Sequence, residues 1–173
     1  LYTKAEEFYK QVVDLAPSSP AGYTGLGFVY KIQDQNDKRL KMFQDALEKS
    51  PTNAMIHYEI GETYLDLEEY EKALEEFKKA IQFGETETQG EALQRMAQTY
   101  LGLNDPAQCL KIGHQILKDY PDLYTIHFVM AGADAMKNNY DDAEDHLQKY
   151  LKYEPDDEDA RTMLTKIQET KKE

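Results

Sequence analysis

From Asn53 to Ile81 apolar and polar positions alternate with a helical period. Ile60, Gly61 and Tyr64 form one apolar stripe, and Ala73, Phe77 and Ala80 form a second. The stretch between them, Asp66-Leu67-Glu68-Glu69, is short and polar, so the two predicted helices fold back antiparallel. Gly61 falls inside the first helix, where glycine costs roughly 1 kcal/mol against alanine and so needs a packing reason. The expected reason is close approach of the second helix, with Ala73 as the matching small residue and Tyr64 and Phe77 filling the volume beside it. Such a hairpin cannot bury its apolar face alone.

Its neighbours are visible as a period. Gly27, Tyr30, Phe43 and Ala46 each lie 34 residues before Gly61, Tyr64, Phe77 and Ala80. Pro17, Pro51, Pro121 and Pro155 mark unit ends; the outer gaps are 34 and the middle gap of 70 holds two units plus two residues. In these positions the chain resembles the tetratricopeptide repeat family over essentially its whole length. The resemblance implies an all-α fold, a right-handed superhelical solenoid of antiparallel helix pairs, as a single domain over residues 1–173. Residues 1–17 match the second helix of a truncated repeat. Repeats follow at 20–51, 54–84, 90–121 and 124–155, and a capping helix at 156–172. The missing first helix implies a start inside a longer array, which would expose Tyr2, Phe8, Tyr9 and Val12 to self-association.

Several positions depart from the family pattern. Arg39 stands where a small residue belongs, so the turn from Gln33 to Asp37 is expected to rearrange, with looser packing or with Leu40 turned inward. The segment Gln82–Gln89 carries the two extra residues and reads as a longer loop, with Gly84 ending the helix in a left-handed conformation. Cys109 replaces the small alanine and behaves as a small hydrophobe. Gly113 replaces the ring of Phe77, so that unit lacks a core aromatic unless a neighbour fills the space. Asp134 replaces the tyrosine of Tyr30, Tyr64 and Tyr100, and must be hydrated or paired. In the last helix, Met163, Leu164 and Ile167 give one apolar face and the rest is polar, as a terminal cap requires.

Composition narrows the function. The chain has 20 Lys+Arg against 33 Asp+Glu, a net charge of −13, which repels nucleic acid and anionic membrane surfaces. No run approaches the ~20 apolar residues of a membrane span, so no membrane insertion is expected, and no stretch reads as a signal peptide, which leaves the native location open. The cytoplasm is the default location. Cys109 is the single cysteine, which excludes an internal disulfide and leaves the redox compartment open.

No constellation for catalysis appears, and neither a cofactor nor a metal is expected. His57, His114, His127 and His146 read as scattered among the units, without a second ligand at i+4 or a nearby CxxC. His57 and His127 share the register of Tyr23 and read as core residues. The acidic run from Glu154 to Asp159 lacks the glycine and spacing of a calcium loop and reads as a solvated helix start. Function must then come from surface.

In the family that the chain resembles, the first helices of successive units line a concave groove that holds a peptide or partner helix. That geometry implies a lining of Thr24, Phe28 and Lys31 from the first repeat and Met55, Tyr58, Glu59 and Glu62 from the second. It adds Gln94, Arg95 and Gln98 from the third, and Phe128 and Met136 from the fourth. These lie on a stripe other than that of Gly61 and Tyr64, so Phe28, Tyr58, Phe128, Met55 and Met136 are expected to have no internal duty and to offer an apolar floor. Repeats that grip the acidic tails of cytosolic heat-shock chaperones use lysines, asparagines and an arginine. Here the matching positions hold Thr24, Phe28, Glu59, Glu91 and Arg95, and only Arg95 fits, so such tails are not expected to bind. The favoured function is a non-enzymatic adaptor binding a partner protein segment. The alternatives are a homo-oligomeric scaffold, or an accessory repeat domain of a larger assembly protein or enzyme.

Overall fold

The structure, a computed structural model, describes residues 2–172, Tyr2 by its backbone alone; the expectation for the Tyr2 side chain lies outside the described residues. Among these residues there are ten helices and no strand. They are α1 (Tyr2–Leu15), α2 (Pro20–Ile32), α3 (Asn36–Lys49), α4 (Ala54–Asp66) and α5 (Tyr70–Phe83), then α6 (Thr86–Gly102), α7 (Pro106–Asp119), α8 (Ile126–Met136), α9 (Tyr140–Leu151) and α10 (Glu158–Thr170). The chain forms two compact units, residues 1–92 and 93–173, with the division inside α6.

Local chemistry starts and stops these helices. Asn53 accepts a hydrogen bond from the Ile56 amide at 3.2 Å, Asp105 from Gln108 at 3.1 Å and Asp157 from Ala160 at 3.0 Å, each satisfying an amide that the first turn leaves open. Pro20 and Pro106 occupy first-turn positions, where a missing N–H costs nothing. Four helices end alike. Asp34, Glu68, Asn104 and Asn138 adopt left-handed φ values of 54°, 57°, 57° and 60°. The amide after each donates back to Tyr30, Tyr64, Tyr100 and Asp134 carbonyls at 2.8–3.0 Å. The turn beside Arg39 is therefore the same as the others; the expected rearrangement between Gln33 and Asp37 does not occur.

In the first unit α1 packs on α2, α2 on α3, α3 on α4 and α4 on α5. The core includes Phe43, Ala46, Ile56 and Ile60, with Tyr23, Leu40, Leu47 and Tyr64 packed against it. Gly61 has a different reason from the one expected. A Cβ there would lie 2.6 Å from the Phe77 ring, and one at Gly27 would lie 2.6 Å from the Phe43 ring. The glycine makes room for the ring of the second helix, not for close approach to Ala73. Gly84 is extended (φ −85°, ψ 160°), not left-handed. The expected loop also shrinks to Gly84-Glu85, because Gln89, already in α6, donates to the Ile81 and Gly84 carbonyls at 3.1 and 2.9 Å. Those bonds satisfy the end of α5 without a longer connection.

In the second unit α7 packs on α8, α8 on α9 and α9 on α10. Ala131, Ala143, Leu147, Ala160 and Ile167 form a buried cluster, against which Phe128, Tyr150, Met163 and Leu164 pack. Met130 fills the space left by Gly113, since a Cβ on that glycine would lie 2.6 Å from the methionine Cγ and Sδ. Asp134, 3% exposed, is paired as its burial demands: Asn139 Nδ2 donates to it at 3.3 Å, and His146 Nε2 lies 3.7 Å away.

Two glycines give opposite expectations on substitution. Gly61→Ala gains about 1 kcal/mol of helix propensity but overpacks a fully buried ring, which typically costs about 1–3 kcal/mol. We expect net destabilisation in urea unfolding. At Gly132 a Cβ meets only Leu101 Cδ1, at 3.4 Å. Gly132→Ala is expected to be neutral or to stabilise by up to about 1 kcal/mol. Equal effects at the two sites would refute the ring-seating account.

Candidate functional site

The residues singled out on the first helices fall into two sets, one in each unit. In the first unit, α2 carries Thr24, Phe28 and Lys31, and α4 carries Met55, Tyr58, Glu59 and Glu62. Phe28 is 37% exposed, Met55 46%, and Ile32 at the end of α2 58%. The aromatic residues do have internal duties, contrary to the expectation. The Phe28 ring meets Phe43 edge-on at 5.4 Å, and the half-buried Tyr58 ring lies 5.7 Å from Phe77. Each core ring seated on a glycine thus carries a second ring on its outer side. Such ring pairs add roughly 0.5–1.5 kcal/mol beyond area burial.

Glu59 is not an open carboxylate. It is 6% exposed and shared by two cations: Lys31 Nζ donates to its Oε2 at 2.8 Å, and Arg39 Nη2 lies 3.4 Å away. Arg39 is itself 1% exposed, and its Nη1 donates to Asp66 at 2.5 Å. This corrects the expectation that an arginine cannot sit in the tight contact between helices. The side chain enters the core from α3 and delivers its charge to two acids of α4. Leu40 is only half-buried and does not replace it. Lys31 also lies 6.0 Å from the centre of the Phe28 ring. The one lysine of this face is thereby committed to an internal partner.

In the second unit the same stripe is more polar. Arg95 Nη1 donates to Gln98 at 2.9 Å, and the Thr125 hydroxyl donates to Gln94 at 2.9 Å. Phe128, half-buried, lies 5.3 Å from the Tyr150 ring, so it too has an internal contact. Met136, at the end of α8, is 44% exposed.

The histidines are not scattered. His127 and His146 lie in one helix pair, with their Nδ1 atoms 2.8 Å apart. His57 Nδ1 meets the Glu76 carboxylate at 2.7 Å and its Nε2 meets the Pro51 carbonyl at 3.0 Å. The signal was present in the sequence: 57 and 76 are separated by 19 residues, as are 127 and 146, and the two pairs are 70 residues apart. The Cys109 thiol is buried, and burial, reinforced by Asp134 and Asp105, pushes it up to about 12, which leaves it an unreactive thiol at neutral pH. In the acidic run, Asp157 accepts from the Tyr150 hydroxyl at 2.7 Å, Glu154 from the Tyr124 hydroxyl at 2.7 Å, and Asp156 from Arg161 at 3.0 Å. Among the described residues no group of three or more His, Cys, Asp or Glu side chains is arranged to hold a metal ion. Among them, too, no helix is long and apolar enough to cross a membrane.

Models of the tetratricopeptide repeat match residues 42–75 and 104–167. Among curated proteins, anaphase-promoting complex subunit CDC16 of Saccharomyces cerevisiae is 31% identical over 87 residues, 46% of this chain and 10% of that protein. Anaphase-promoting complex subunit 3 of Schizosaccharomyces pombe is 26% identical over 129 residues, 75% of this chain and 19% of that protein. The chain therefore spans a fifth or less of the length of these curated relatives. Among solved structures, the chain is similar to YrrB, described as a repeat protein with an unusual peptide-binding site. The TM-score is 0.76 at 22% identity, covering 93% of this chain and 82% of that one. It is similar also to the Cut9–Hcn1 structure of the anaphase-promoting complex, with TM-score 0.83 at 15% identity, covering 96% of this chain and 33% of that one. At these identities the structures show a shared fold, the all-α solenoid of antiparallel helix pairs.

The buried ion network predicts an asymmetric response to mutation. Glu59→Ala leaves the buried Arg39 with Asp66 alone, a carboxylate that is 55% exposed, and so breaks part of a network whose full loss typically costs about 3–5 kcal/mol. Arg39→Ala restores the residue found at Ala73 and Ala143 and leaves Glu59 with Lys31, so its cost should be about 1–2 kcal/mol smaller. Denaturant midpoints of the two single variants and the double variant measure the difference. Equal costs for the two single variants would show that the network is not held together through Glu59.

Proposed function

Because the chain belongs to the tetratricopeptide repeat family, whose fold serves protein–protein interaction and scaffolding, we propose that it is a non-enzymatic adaptor that binds a segment of a partner protein on its first helices. The observation that carries the reading is the exposure of Phe28, Ile32 and Met55 on α2 and α4 beside a lysine already neutralised by Glu59. A ligand carboxylate would have to compete with Glu59 for Lys31, so charge is a poor source of affinity here. Apolar side chains are the better match, and a helix or extended peptide with two or three large apolar residues supplies them. Thr24, Tyr58, Glu59 and Glu62 would border that contact. In the second unit, Gln94, Arg95, Gln98, Phe128 and Met136 form the corresponding set, with more hydrogen-bonding groups and fewer exposed rings. That both curated relatives are subunits of the anaphase-promoting complex supports a role inside a larger assembly.

A second reading has its own observation. On α1, Phe8 is 59% exposed and Leu15 86%, seven residues apart on one helix face. A second copy of the chain covering that face would make the protein a homo-oligomeric scaffold.

Two variants separate the readings. Met55→Glu places a charge on the most solvent-exposed apolar position of α4 without touching a core ring. It should abolish capture of a partner from the source cell and leave the sedimentation behaviour unchanged. Phe8→Glu should instead lower the sedimenting mass if α1 covers itself with a second copy. A partner retained equally by wild type and Met55→Glu would remove the site from this face. A monomer at all concentrations would end the scaffold reading.

A further inference from the structure

The residues at 57 and 76 and those at 127 and 146 occupy the same places in two repeats, on a first helix and on the second helix that packs against it. In the first unit the pair is a histidine and a carboxylate, His57 and Glu76, 2.7 Å apart. In the second it is two histidines 2.8 Å apart through Nδ1. The other two repeats have Tyr23 with Met42 and Leu93 with Ile112 at these places. One position in the fold is thus filled either by groups indifferent to a proton, by a pair that carries its own counter-charge, or by a pair that does not.

We propose that the His127–His146 contact is an acid-sensitive latch, which holds α8 against α9 while the rings share one proton between their Nδ1 atoms and opens when both rings are charged. The geometry sets the proton count. A distance of 2.8 Å between two ring nitrogens admits one hydrogen and only one. His146 Nε2 lies 3.7 Å from the buried Asp134 carboxylate, which favours a proton on that nitrogen. His146 Nδ1 is then the acceptor and His127 Nδ1–H the donor. A proton added at His127 Nε2 leaves this bond intact. A further proton has only His146 Nδ1 to occupy, and there it points at the His127 N–H. The two rings must then part.

The surroundings work mostly against charging the pair. Burial lowers His127 to about 4, with His146 and Lys149 adding to the effect and Asp145 opposing it. Burial also lowers His146; Lys149 and His114 push the same way, and Asp134 and Asp145 resist. The groups facing the pair are thus Asp134 on α8, Asp145 and Lys149 on α9 and His114 on α7, where Cys109 also lies within reach of the Asp134 field. An unfolded histidine titrates near 6.5, so between neutral pH and the folded range the open state binds more protons than the closed one. Stability of the latch is complete above about 6.5 and is lost as the pH falls toward 4. Burial keeps the first proton off His127 in the closed state while the open state accepts it. His127 alone therefore sets a floor of about 20-fold on the rise in opening between pH 7 and pH 5, and the proton that His146 takes up on opening adds to it. That window lies above the titration of the carboxylates that are held low by their partners, such as Glu144, Asp145 and Asp157. Opening frees α8, the helix that carries Phe128 and Met136.

Hydrogen exchange of the α8 and α9 amides at pH 7 and pH 5, corrected for the intrinsic rate, reads the opening equilibrium in the whole chain. Histidine ring NMR signals report the titration of each residue. The wild type should lose at least about 20-fold protection in these helices, with α4 and α5 much less affected, and the His127 signals should titrate well below 6. His146→Glu copies the pair of the first unit and should remove the acid response and move the His127 titration upward. If the added carboxylate beside Asp134 weakens the fold, His146→Gln decides instead: a neutral, non-titrating partner should reduce the loss at pH 5 relative to wild type. Unchanged protection in wild type from pH 7 to pH 5, or the same loss in His146→Gln as in wild type, would overturn the latch.

Discussion

A phenylalanine ring seated on a bare stretch of helix backbone is the contact on which the first unit depends. Phe43 and Phe77 are fully buried, and each reaches the backbone of the preceding helix where Gly27 and Gly61 leave out a side chain. Burying a ring of this size is worth roughly 2–3 kcal/mol, more than the ~1 kcal/mol of helix propensity that the glycine gives up. The contact also has an outward consequence. Phe28 rests its edge on Phe43 and Tyr58 leans on Phe77, so the rings facing solvent are positioned by the rings facing the core. Core packing and candidate binding surface are therefore one structure seen from two sides. A change that unseats the inner ring displaces the outer one.

The second unit reaches a similar result by other means. At the places of Gly61 and Phe77 it has Ala97 with Gly113 and Ala131 with Leu147. The glycine has moved to the second helix, and Met130 supplies from α8 the volume that the missing ring would have occupied. A flexible thioether suits that irregular space. With no ring at Leu147, Phe128 leans on Tyr150 instead, one turn further along α9. Its face is correspondingly built from hydrogen-bonded amides and a guanidinium, with one ring half-buried and one exposed methionine.

The period of 34 makes the helix pairs and their register legible, because both follow from local spacing and from residues a few positions apart. What stayed hidden depends on reach. Arg39 looked too large for its place because its six-atom reach to Glu59 and Asp66, on the next helix, is not a property of its own repeat. Gly61 reads from the sequence as a packing glycine, but its partner is the Phe77 ring and not Ala73, since spacing does not say which neighbour of the facing helix points inward. A glycine at position 84 suggests a left-handed stop, yet Gln89 caps the Ile81 and Gly84 carbonyls from the following helix and the glycine stays extended. Spacing puts Phe28, Tyr58 and Phe128 on one stripe of the first helices, but spacing alone does not show that each touches a ring behind it. The His127–His146 contact is invisible to a search for ligands at i+4, because the rings lie on two helices, although the offset of 19 residues recurs at His57 and Glu76.

These cases share a logic that bears on function. A repeat fold tolerates a polar residue in a core register when the adjoining helix offers its complement: Arg39 meets two acids, Asp134 meets an amide and a histidine, and His57 meets Glu76. Every such pairing removes a charge from the set available to a ligand. In the first unit the pairing consumes Lys31 and Glu59, two of the three charges that the sequence assigns to recognition there. What remains is shape and apolar area, set by α2 and α4 and held by the rings beneath them. On the proposed binding role, selectivity on that face would arise from the size and spacing of a ligand's apolar side chains, because Lys31 and Glu59 are engaged with each other across α2 and α4.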